Sequence, residues 1–310
     1  MKVLGIDIGG TAIKIGIINE HGEILESRET PTLAKEGGEA LMLKILKIIG
    51  EYNNLDRIGI STAGQVDFLK GRITFATENI PGWTGIEIKK RILQVYKLPI
   101  IIENDVNAAA IGEAFYGSGM GYKSFLCLAY GTGIGGAIIE NGRIYKGAFG
   151  SAGEFGHIIT HVGGKKCKCG GTGCYETYAS TSALVESVKK ELNEKYMNGK
   201  VIFDLLENGN LCVQRIVHEW LYEIIMGLVN VVHIFNPSLI VLGGGIMVRP
   251  YIVNYIKENL PKYLMINYRT VKVMAAKLGN NAGILGASHI AMEMQDITKS
   301  HLEEGKLYDR

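Results

Sequence analysis

Three cysteines crowd into eight residues of the segment GEFGHIITHVGGKKCKCGGTGCYE. They are Cys167, Cys169 and Cys174. Thiols spaced this closely among glycines are typical of a tetrahedral Zn²⁺ knuckle, which needs a fourth ligand. His157 and His161 are the nearby candidates, and the residues alone do not choose between them. Four protein ligands leave no position open for water, so we expect a structural zinc ion rather than a hydrolytic one.

A second polar group interrupts the segment IIIENDVNAAA, which passes from an apolar strand into a helix of small residues. Glu103, Asn104 and Asp105 stand at that junction, at the carboxyl end of the strand, where open α/β sheets build their sites. One Asn or Asp would be enough to cap the helix, so this cluster favours function over capping. In phosphoryl transfer a positioned Asp accepts the proton of the attacking alcohol, and Asp105 is our candidate for that base.

Glycine turns follow three apolar strands, at residues 9–11, 131–136 and 243–245. Glycine lets backbone N–H groups approach a phosphate closely, and three such turns favour nucleotide binding over tight hairpins alone. The middle turn matches the dinucleotide fingerprint, but a strand follows it where that fingerprint needs a helix. The P-loop pattern ending in Gly-Lys-Ser/Thr is absent.

Asp7 lies in the apolar strand before the first glycine turn. A carboxylate in such a strand costs free energy unless it binds something. Contact through water with the Mg²⁺ of a nucleotide would satisfy it, and the alternative is an edge-strand Asp bonded to nearby backbone N–H groups.

Apolar periodicity and turn residues predict an α/β architecture. The segments VLGIDIGGTAIKIGII and FLCLAYGTGIGGAII each read as a hairpin, and Asn141-Gly142 supplies a further hairpin turn. Aligning Gly9 with Gly131 superposes the two glycine turns, which predicts two related halves. Helices are predicted at 39–52, 105–116, 211–235, near Tyr251 and at 282–294, and strands at 58–61, 99–102 and 238–242.

Composition excludes several classes of protein. The 310 residues are 47% hydrophobic and 21% charged, a normal globular balance, and the net charge of +2 argues against nucleic acid as a partner. The apolar stretch 221–235 carries Glu223 and His233, so we expect no membrane span. The start of the chain runs directly into a strand, so we expect no signal peptide and a cytoplasmic protein.

With these residues in hand, the chain resembles the ROK family of sugar kinases over essentially its whole length. The matching motifs are DIGGT at 7–11, ENDVNAAA at 103–110, GTGIGGAI at 131–138, GEFGH at 153–157, CKCGGTGCYE at 167–176 and LGGGI at 242–246. The resemblance implies an actin/hexokinase-like ATPase fold, in which two α/β lobes flank an active-site cleft. We expect a small lobe at 1–118, joined by the helix 283–310, and a large lobe at 119–282. ATP, Mg²⁺, structural Zn²⁺ and a homodimer are also implied.

The same resemblance assigns roles to individual residues. Asp105 becomes the base that activates the sugar hydroxyl, and His157 rather than His161 becomes the fourth zinc ligand. The sugar ligands implied are Gly64, Asn79, Asn104, Asp105, Glu154, His157 and Glu176. The nucleotide contacts implied are Asp7, Gly9, Gly10, Thr11 and Lys14, then Thr132 and Gly133, then Gly243 and Gly244 against adenosine.

Two departures from the family pattern bear on these expectations. Ala63-Gly64 stands where the family usually has Pro-Gly, which we expect to reshape contacts to the sugar. Ala129-Tyr130 replaces a small hydroxyl residue and an aliphatic one, which we expect to alter packing only.

The residues favour glucose, phosphorylated at the 6-hydroxyl, as the substrate. N-acetylmannosamine is the runner-up, and fructose, allose and β-glucosides are further alternatives. The family also contains sugar-responsive repressors with a helix-turn-helix ahead of the first glycine turn. Asp7 leaves no room for one here, so we expect an enzyme.

Overall fold

The computed structural model of the protein describes residues 1–294. The described chain forms two compact units, one made of residues 1–105 with 284–294, the other of residues 106–283. The predicted lobe boundaries at 118 and 282 stay predictions, and the end of the predicted helix 283–310, beyond 294, lies outside the described residues. Within residues 1–294, no helix is both long and apolar enough to cross a membrane.

Strands and helices alternate through both units. The strands are β1 (Lys2–Ile8), β2 (Ala12–Asn19), β3 (Ile24–Pro31), β4 (Arg57–Thr62), β5 (Gln65–Asp67), β6 (Arg72–Phe75), β7 (Ile100–Asn104), β8 (Phe125–Tyr130), β9 (Ile134–Glu140), β10 (Arg143–Ile144), β11 (Leu239–Gly243) and β12 (Lys272–Ala275). The helices are α1 (Gly38–Gly50), α2 (Ile88–Val95), α3 (Asp105–Tyr116), α4 (Glu176–Ala179), α5 (Thr181–Leu192), α6 (Gly199–Glu207), α7 (Leu211–Phe235), α8 (Pro250–Tyr263) and α9 (Ala282–Glu293).

The two main sheets have the same topology, which confirms the predicted internal repeat. Their strand orders are β3-β2-β1-β4-β7 and β10-β9-β8-β11-β12. In each sheet an antiparallel meander of three strands forms one side, and two parallel strands complete the other. A separate pair, β5-β6, follows β4.

The strongest sequence signals correspond closely to these elements. Both predicted hairpins form, as β1-β2 and β8-β9. Asn141 and Gly142 have φ of 52° and 78°, the left-handed pair that closes the β9-β10 hairpin. The predicted helices 105–116 and 211–235 have the bounds of α3 and α7. α7 ends at Phe235, and its C-cap residue Asn236 has φ of 45° and precedes a proline.

A buried glutamate joins two loops of the second unit. Glu113 in α3 is 1% exposed, and its carboxylate accepts hydrogen bonds from three backbone N–H groups. The donors are Ser118 at 2.7 Å, Lys277 at 3.1 Å and Leu278 at 2.8 Å. Because a buried carboxylate must be paired, these bonds fix the turn after α3 against the segment after β12.

α9 packs on the sheet of the first unit at a glycine of β4. A Cβ atom on Gly59, in the middle of β4, would lie 2.2 Å from the carbonyl oxygen of Ala287. Arg57 on the same strand donates hydrogen bonds at 2.8 and 2.9 Å to the carbonyls of Ala291 and Met292, at the end of α9. α9 therefore packs directly against the backbone of β4, and the hydrogen bonds from Arg57 hold its last turn.

This packing predicts that Gly59→Ala destabilises the first unit, because the new methyl group would push α9 away from β4. We expect a loss of at least about 2 kcal/mol in the free energy of unfolding, as for overpacked cores. Urea denaturation measures it. Gly199→Ala is the matched control, because a methyl group there would meet only a side-chain carbon of Thr181, at 4.0 Å, and should change stability little. Equal stability of both variants would contradict the close packing.

Candidate functional site

Asp7 lies in the interior of the first sheet, with side-chain partners on both neighbouring strands. It stands opposite Lys14 on β2 and beside Ser61 on β4. Its Oδ1 accepts a hydrogen bond from the Ser61 hydroxyl at 2.6 Å, and its Oδ2 is 3.7 Å from the Lys14 ammonium. The alternative of an edge-strand Asp is wrong, because β1 is the central strand. Burial raises the pKa of Asp7, and Ser61 and Lys14 offset only part of that effect.

Asp105 is the first residue of α3, directly after β7. The side-chain amide of Asn104 donates to the Asp105 carboxylate at 2.9 Å and to the carbonyl of Gly64 at 3.0 Å. One amide group thus fixes the carboxylate relative to the turn after β4. That turn is fixed in its own right, since the indole N–H of buried Trp83 donates to Thr62 at 3.1 Å. Asn79 lies exposed in the loop between β6 and α2.

In the second unit, the turn between β8 and β9 lies against a carboxylate. Glu176, the first residue of α4, accepts a hydrogen bond from the backbone N–H of Ile134 at 3.3 Å through Oε2. A Cβ atom on Gly133 would lie 2.3 Å from that oxygen, so a side chain there would displace the Glu176 carboxylate. Thr132 and Gly133 are therefore placed beside Glu176, a predicted sugar ligand.

The glycines after β11 lie beside the same turn. Gly243 pairs in register with Ala129 of β8, and a Cβ atom on Gly244 would lie 2.1 Å from the carbonyl oxygen of Tyr130. Other turn glycines, Gly10, Gly131 and Gly245 among them, have open space instead. A Cβ atom on Gly10 or Gly131 would meet no atom of another residue within 4 Å, so local packing does not explain glycine at these positions.

Four side chains bring metal-ligating atoms together. They are His157, Cys167, Cys169 and Cys174, whose donor atoms all lie within 4.8 Å of one another. The Cys169 and Cys174 sulfurs are 3.7 Å apart, and the Cys167 sulfur is 3.8 Å from Nδ1 of His157. A tetrahedral zinc with Zn–S bonds of about 2.3 Å has edges of about 3.8 Å. The set therefore fits a closed tetrahedral Zn²⁺ site.

Burial raises the pKa of the Cys167 thiol to about 12, whereas the backbone N–H of Gly171 lowers that of Cys169. Metal ligation takes the thiolate form, so binding an ion here would release protons.

The two histidines of the cysteine-rich segment, His157 and His161, have different partners. His157 turns Nδ1 toward Cys167 and Nε2 toward Glu154, whose Oε2 is 3.9 Å away. His161 stacks on Tyr178 with ring centroids 3.8 Å apart, and its Nε2 is 3.5 Å from Glu223. The residues alone left this choice open, and the geometry favours His157 as the fourth ligand.

The predicted site residues are divided between the two units. The first unit contributes Asp7, Gly9, Gly10, Thr11, Lys14, Gly64, Asn104 and Asp105, with Asn79 apart on its loop. The second contributes Thr132, Gly133, Glu154, His157, Glu176, Gly243, Gly244 and the three cysteines. Ser61 was not predicted as a site residue. The β1-β4 register places it beside Asp7, and no local pattern in the sequence indicates that register.

Comparison with protein families matches residues 3–294 to the ROK family. The chain belongs to the ROK family. An uncharacterized protein from Clostridium perfringens is 41% identical over 91% of this chain and 95% of its own length. The predicted relationship to ROK sugar kinases is therefore confirmed at the level of the family.

Solved ROK structures confirm the predicted actin/hexokinase-like ATPase fold. A glucokinase from Streptomyces griseus, solved in complex with glucose and AMPPNP, is 31% identical, covers 95% of this chain and all of its own, and gives a TM-score of 0.84. A Listeria monocytogenes protein proposed to be an N-acetylmannosamine kinase is 28% identical, covers 94% of this chain and 99% of its own, and gives a TM-score of 0.85.

The surroundings of Asp7 predict a gain in stability when its charge is removed. A carboxyl whose pKa rises on folding destabilises the protein above that raised pKa, and the penalty disappears below the ordinary value of 3.8. Asp7→Asn should therefore melt above wild type at pH 7.5, with the difference shrinking as the pH falls toward 4. Circular dichroism melts measure it, and Asp204→Asn on the exposed face of α6 is the control. A lower melting temperature for Asp7→Asn at pH 7.5 would contradict the account.

The cysteine-histidine cluster predicts that Cys169→Ser removes bound zinc. We expect at least about 100-fold weaker zinc binding, because losing even an outer-shell partner weakens metal binding 10- to 100-fold. Metal analysis of the purified protein, followed by titration with a chromogenic chelator, measures this. Cys212→Ser on α7 is the matched control and should keep the wild-type zinc content. Full zinc content in Cys169→Ser would show that the cluster is not the metal site.

Proposed function

We propose that this protein transfers the γ-phosphoryl group of ATP to a hydroxyl of a hexose, and that the substrate is glucose, phosphorylated at the 6-hydroxyl. The observation that carries the proposal is the placement of Asp105. Its carboxylate stands at the start of α3 and is oriented by Asn104, whose amide also bonds the carbonyl of Gly64. A carboxylate held in this way can accept the proton of an attacking alcohol.

The glycine turns support the nucleotide half of the reaction. The open space at Gly10 and Gly131 leaves room for phosphate oxygens to approach the backbone of these turns, which is what glycine is used for in phosphate-binding turns. Lys14, opposite Asp7 on the β1-β2 hairpin, supplies positive charge beside the first turn. Asp7 is the residue we assign to the Mg²⁺ of the nucleotide, through water. Bound Mg²⁺ would neutralise the charge that develops on the phosphates.

The second unit supplies the groups we assign to the sugar. Glu154, His157 and Glu176 offer acceptors and one ring N–H for hydroxyl groups. With a metal on Nδ1, the proton of His157 stays on Nε2, which faces Glu154. Structural zinc in the cluster would therefore fix the orientation of a sugar ligand without taking part in the chemistry.

The S. griseus glucokinase supports this combination, because it binds glucose and AMPPNP and matches this chain over nearly its full length. In the proposed mechanism, Asn104 holds Asp105, Asp105 takes the proton as the oxygen–phosphorus bond forms, and the backbone N–H groups of the turns bind the phosphates. The position of the Asp105 carboxylate is what allows it to act as the base, since proton transfer can come late in phosphoryl transfer.

N-acetylmannosamine is the second candidate substrate. The L. monocytogenes protein proposed to act on it matches this chain as closely in fold as the glucokinase does. Ala63 in place of the family's proline stands directly before Gly64 in the turn bonded by Asn104, so it is one place where the pockets for the two sugars can differ. A requirement for ATP and for reduced cysteines makes the cytoplasm the compartment we propose. A homodimer stays a prediction from the resemblance.

Asp105→Asn tests the proposal, because asparagine keeps the shape of the side chain but cannot take the proton. We expect turnover to fall by about 10²- to 10⁴-fold while sugar still binds. A coupled ADP-release assay over glucose, N-acetylmannosamine, fructose, allose and cellobiose measures turnover and names the substrate, and calorimetry measures binding. The exposed Asp204→Asn is the control. Near-wild-type turnover of Asp105→Asn would remove the base, and no ADP release by wild type with any sugar would overturn the proposed activity.

A further inference from the structure

Two fully buried tyrosines of the second unit lie next in sequence to the glycine turn at 131–133 and to the metal cluster. Tyr130 is the last residue of β8, immediately before the glycine turn at 131–133. Tyr175 stands between Cys174 of the metal cluster and Glu176. Both side chains are 0% exposed, and their rings meet edge to face with centroids 6.4 Å apart.

The two hydroxyl groups form a directed chain of hydrogen bonds. The Tyr175 hydroxyl donates to the backbone carbonyl of Ile224 in α7 at 2.8 Å, and the two phenol oxygens are 2.8 Å apart. Burial raises the pKa of both phenols, so both keep their protons. Because the proton of Tyr175 is committed to Ile224, Tyr130 must be the donor between the two rings.

The same segment contacts the turn a second time through Glu176. One carboxylate oxygen lies 3.1 Å from the Cys167 sulfur, and the other accepts the N–H of Ile134 and fills the space beside Gly133. Tyr175 and Glu176 therefore connect the cysteine-histidine cluster to both ends of the glycine turn, before β9 and after β8.

α7 is shaped to hold Tyr175. A Cβ atom on Gly227 would lie 2.2 Å from the Tyr175 ring. Glycine inside a helix is unfavourable, so this position needs a packing reason, and the ring supplies it. The ring position is thus set by the helix, not by the loop alone.

We propose that Tyr130 and Tyr175 are positioning residues that couple the metal cluster to the glycine turn, so that metal binding orders the turn. The ROK resemblance leads one to expect an aliphatic residue at Tyr130 and an effect on packing only. The buried hydroxyl pair instead joins two functional segments. The inference rests on the proposed function for the turn's role in phosphate binding, but its test needs no nucleotide.

Coupling of this kind is reciprocal. A ligand that orders the turn should also tighten metal binding at the cluster, and removal of the Tyr130 hydroxyl should weaken both effects. Tyr130→Phe is suited to this test, because Tyr175 keeps its bond to Ile224 and no buried donor is left unpaired.

Hydrogen exchange of the backbone amides at 131–134, measured by mass spectrometry with and without zinc, tests the coupling directly. In wild type we expect zinc removal to speed exchange by about five-fold or more, the size that one neutral hydrogen bond supports. In Tyr130→Phe the zinc effect should fall below about two-fold, although zinc is still bound. Tyr222→Phe, on the exposed side of α7, is the control and should behave as wild type. Gly227→Ala, which displaces the Tyr175 ring, should reproduce the loss of coupling from the other side.

Exchange at 131–134 that ignores zinc in wild type would overturn the inference, as would an equal zinc effect in wild type and Tyr130→Phe, or a wild-type protein that takes up no zinc. These results are distinct from failure of the proposed function, which is read as absent ADP release. If zinc changes the exchange but no ADP is released, the inferred coupling holds and the proposed kinase activity is wrong.

Discussion

Glycine turns stand at the carboxyl ends of the central strands, where the backbone carries no side chains. The arrangement of the polar side chains around them follows from this constraint. In both sheets the first strand of the hairpin ends in a turn of glycines, and the next parallel strand ends beside it. A Cβ atom on Gly244 would clash with the backbone of Tyr130 and one on Gly133 with the Glu176 carboxylate, whereas one on Gly10 or Gly131 would meet no other residue. Packing explains glycine at the first two positions, and we propose that a phosphate approaching the backbone explains it at the other two.

Polar side chains around these turns are held by partners rather than left to solvent. Asp7 depends on Ser61, Asp105 on Asn104, and Glu176 on the N–H of Ile134. In the case of Asp7, burial raises the pKa of the carboxyl, so we expect its charge in the sheet to cost stability. A fold selected for stability alone has no use for that charge, which is the physical reason to assign Asp7 a ligand.

Local signals in the sequence predicted the hairpins, the long helices and the cysteine cluster, because each depends on neighbouring residues. The pairing of β1 with β4 places Ser61 beside Asp7, and the sequence carried no sign of it, because parallel pairing joins segments about 50 residues apart. β3 was missed because six of its eight residues are exposed and three of those are charged, so it shows no apolar pattern. Tyr130 was expected to affect packing only, since its partner Tyr175 is 45 residues away. His157 and His161 are four residues apart in one segment, so the residues alone did not choose between them; the resemblance indicated His157, and the folded loop places its ring beside the three cysteines.

The most direct test of Asp105 as the base is a crystal structure with glucose and AMPPNP bound, because it locates the acceptor hydroxyl. We expect the 6-hydroxyl to lie within about 3.2 Å of the Asp105 carboxylate and in line with the γ-phosphorus. Phosphates should contact the backbone N–H groups of both glycine turns, and zinc should occupy the cluster of His157 and the three cysteines. A complex with the sugar hydroxyl beyond hydrogen-bonding reach of Asp105, while another side chain contacts it, would contradict the account.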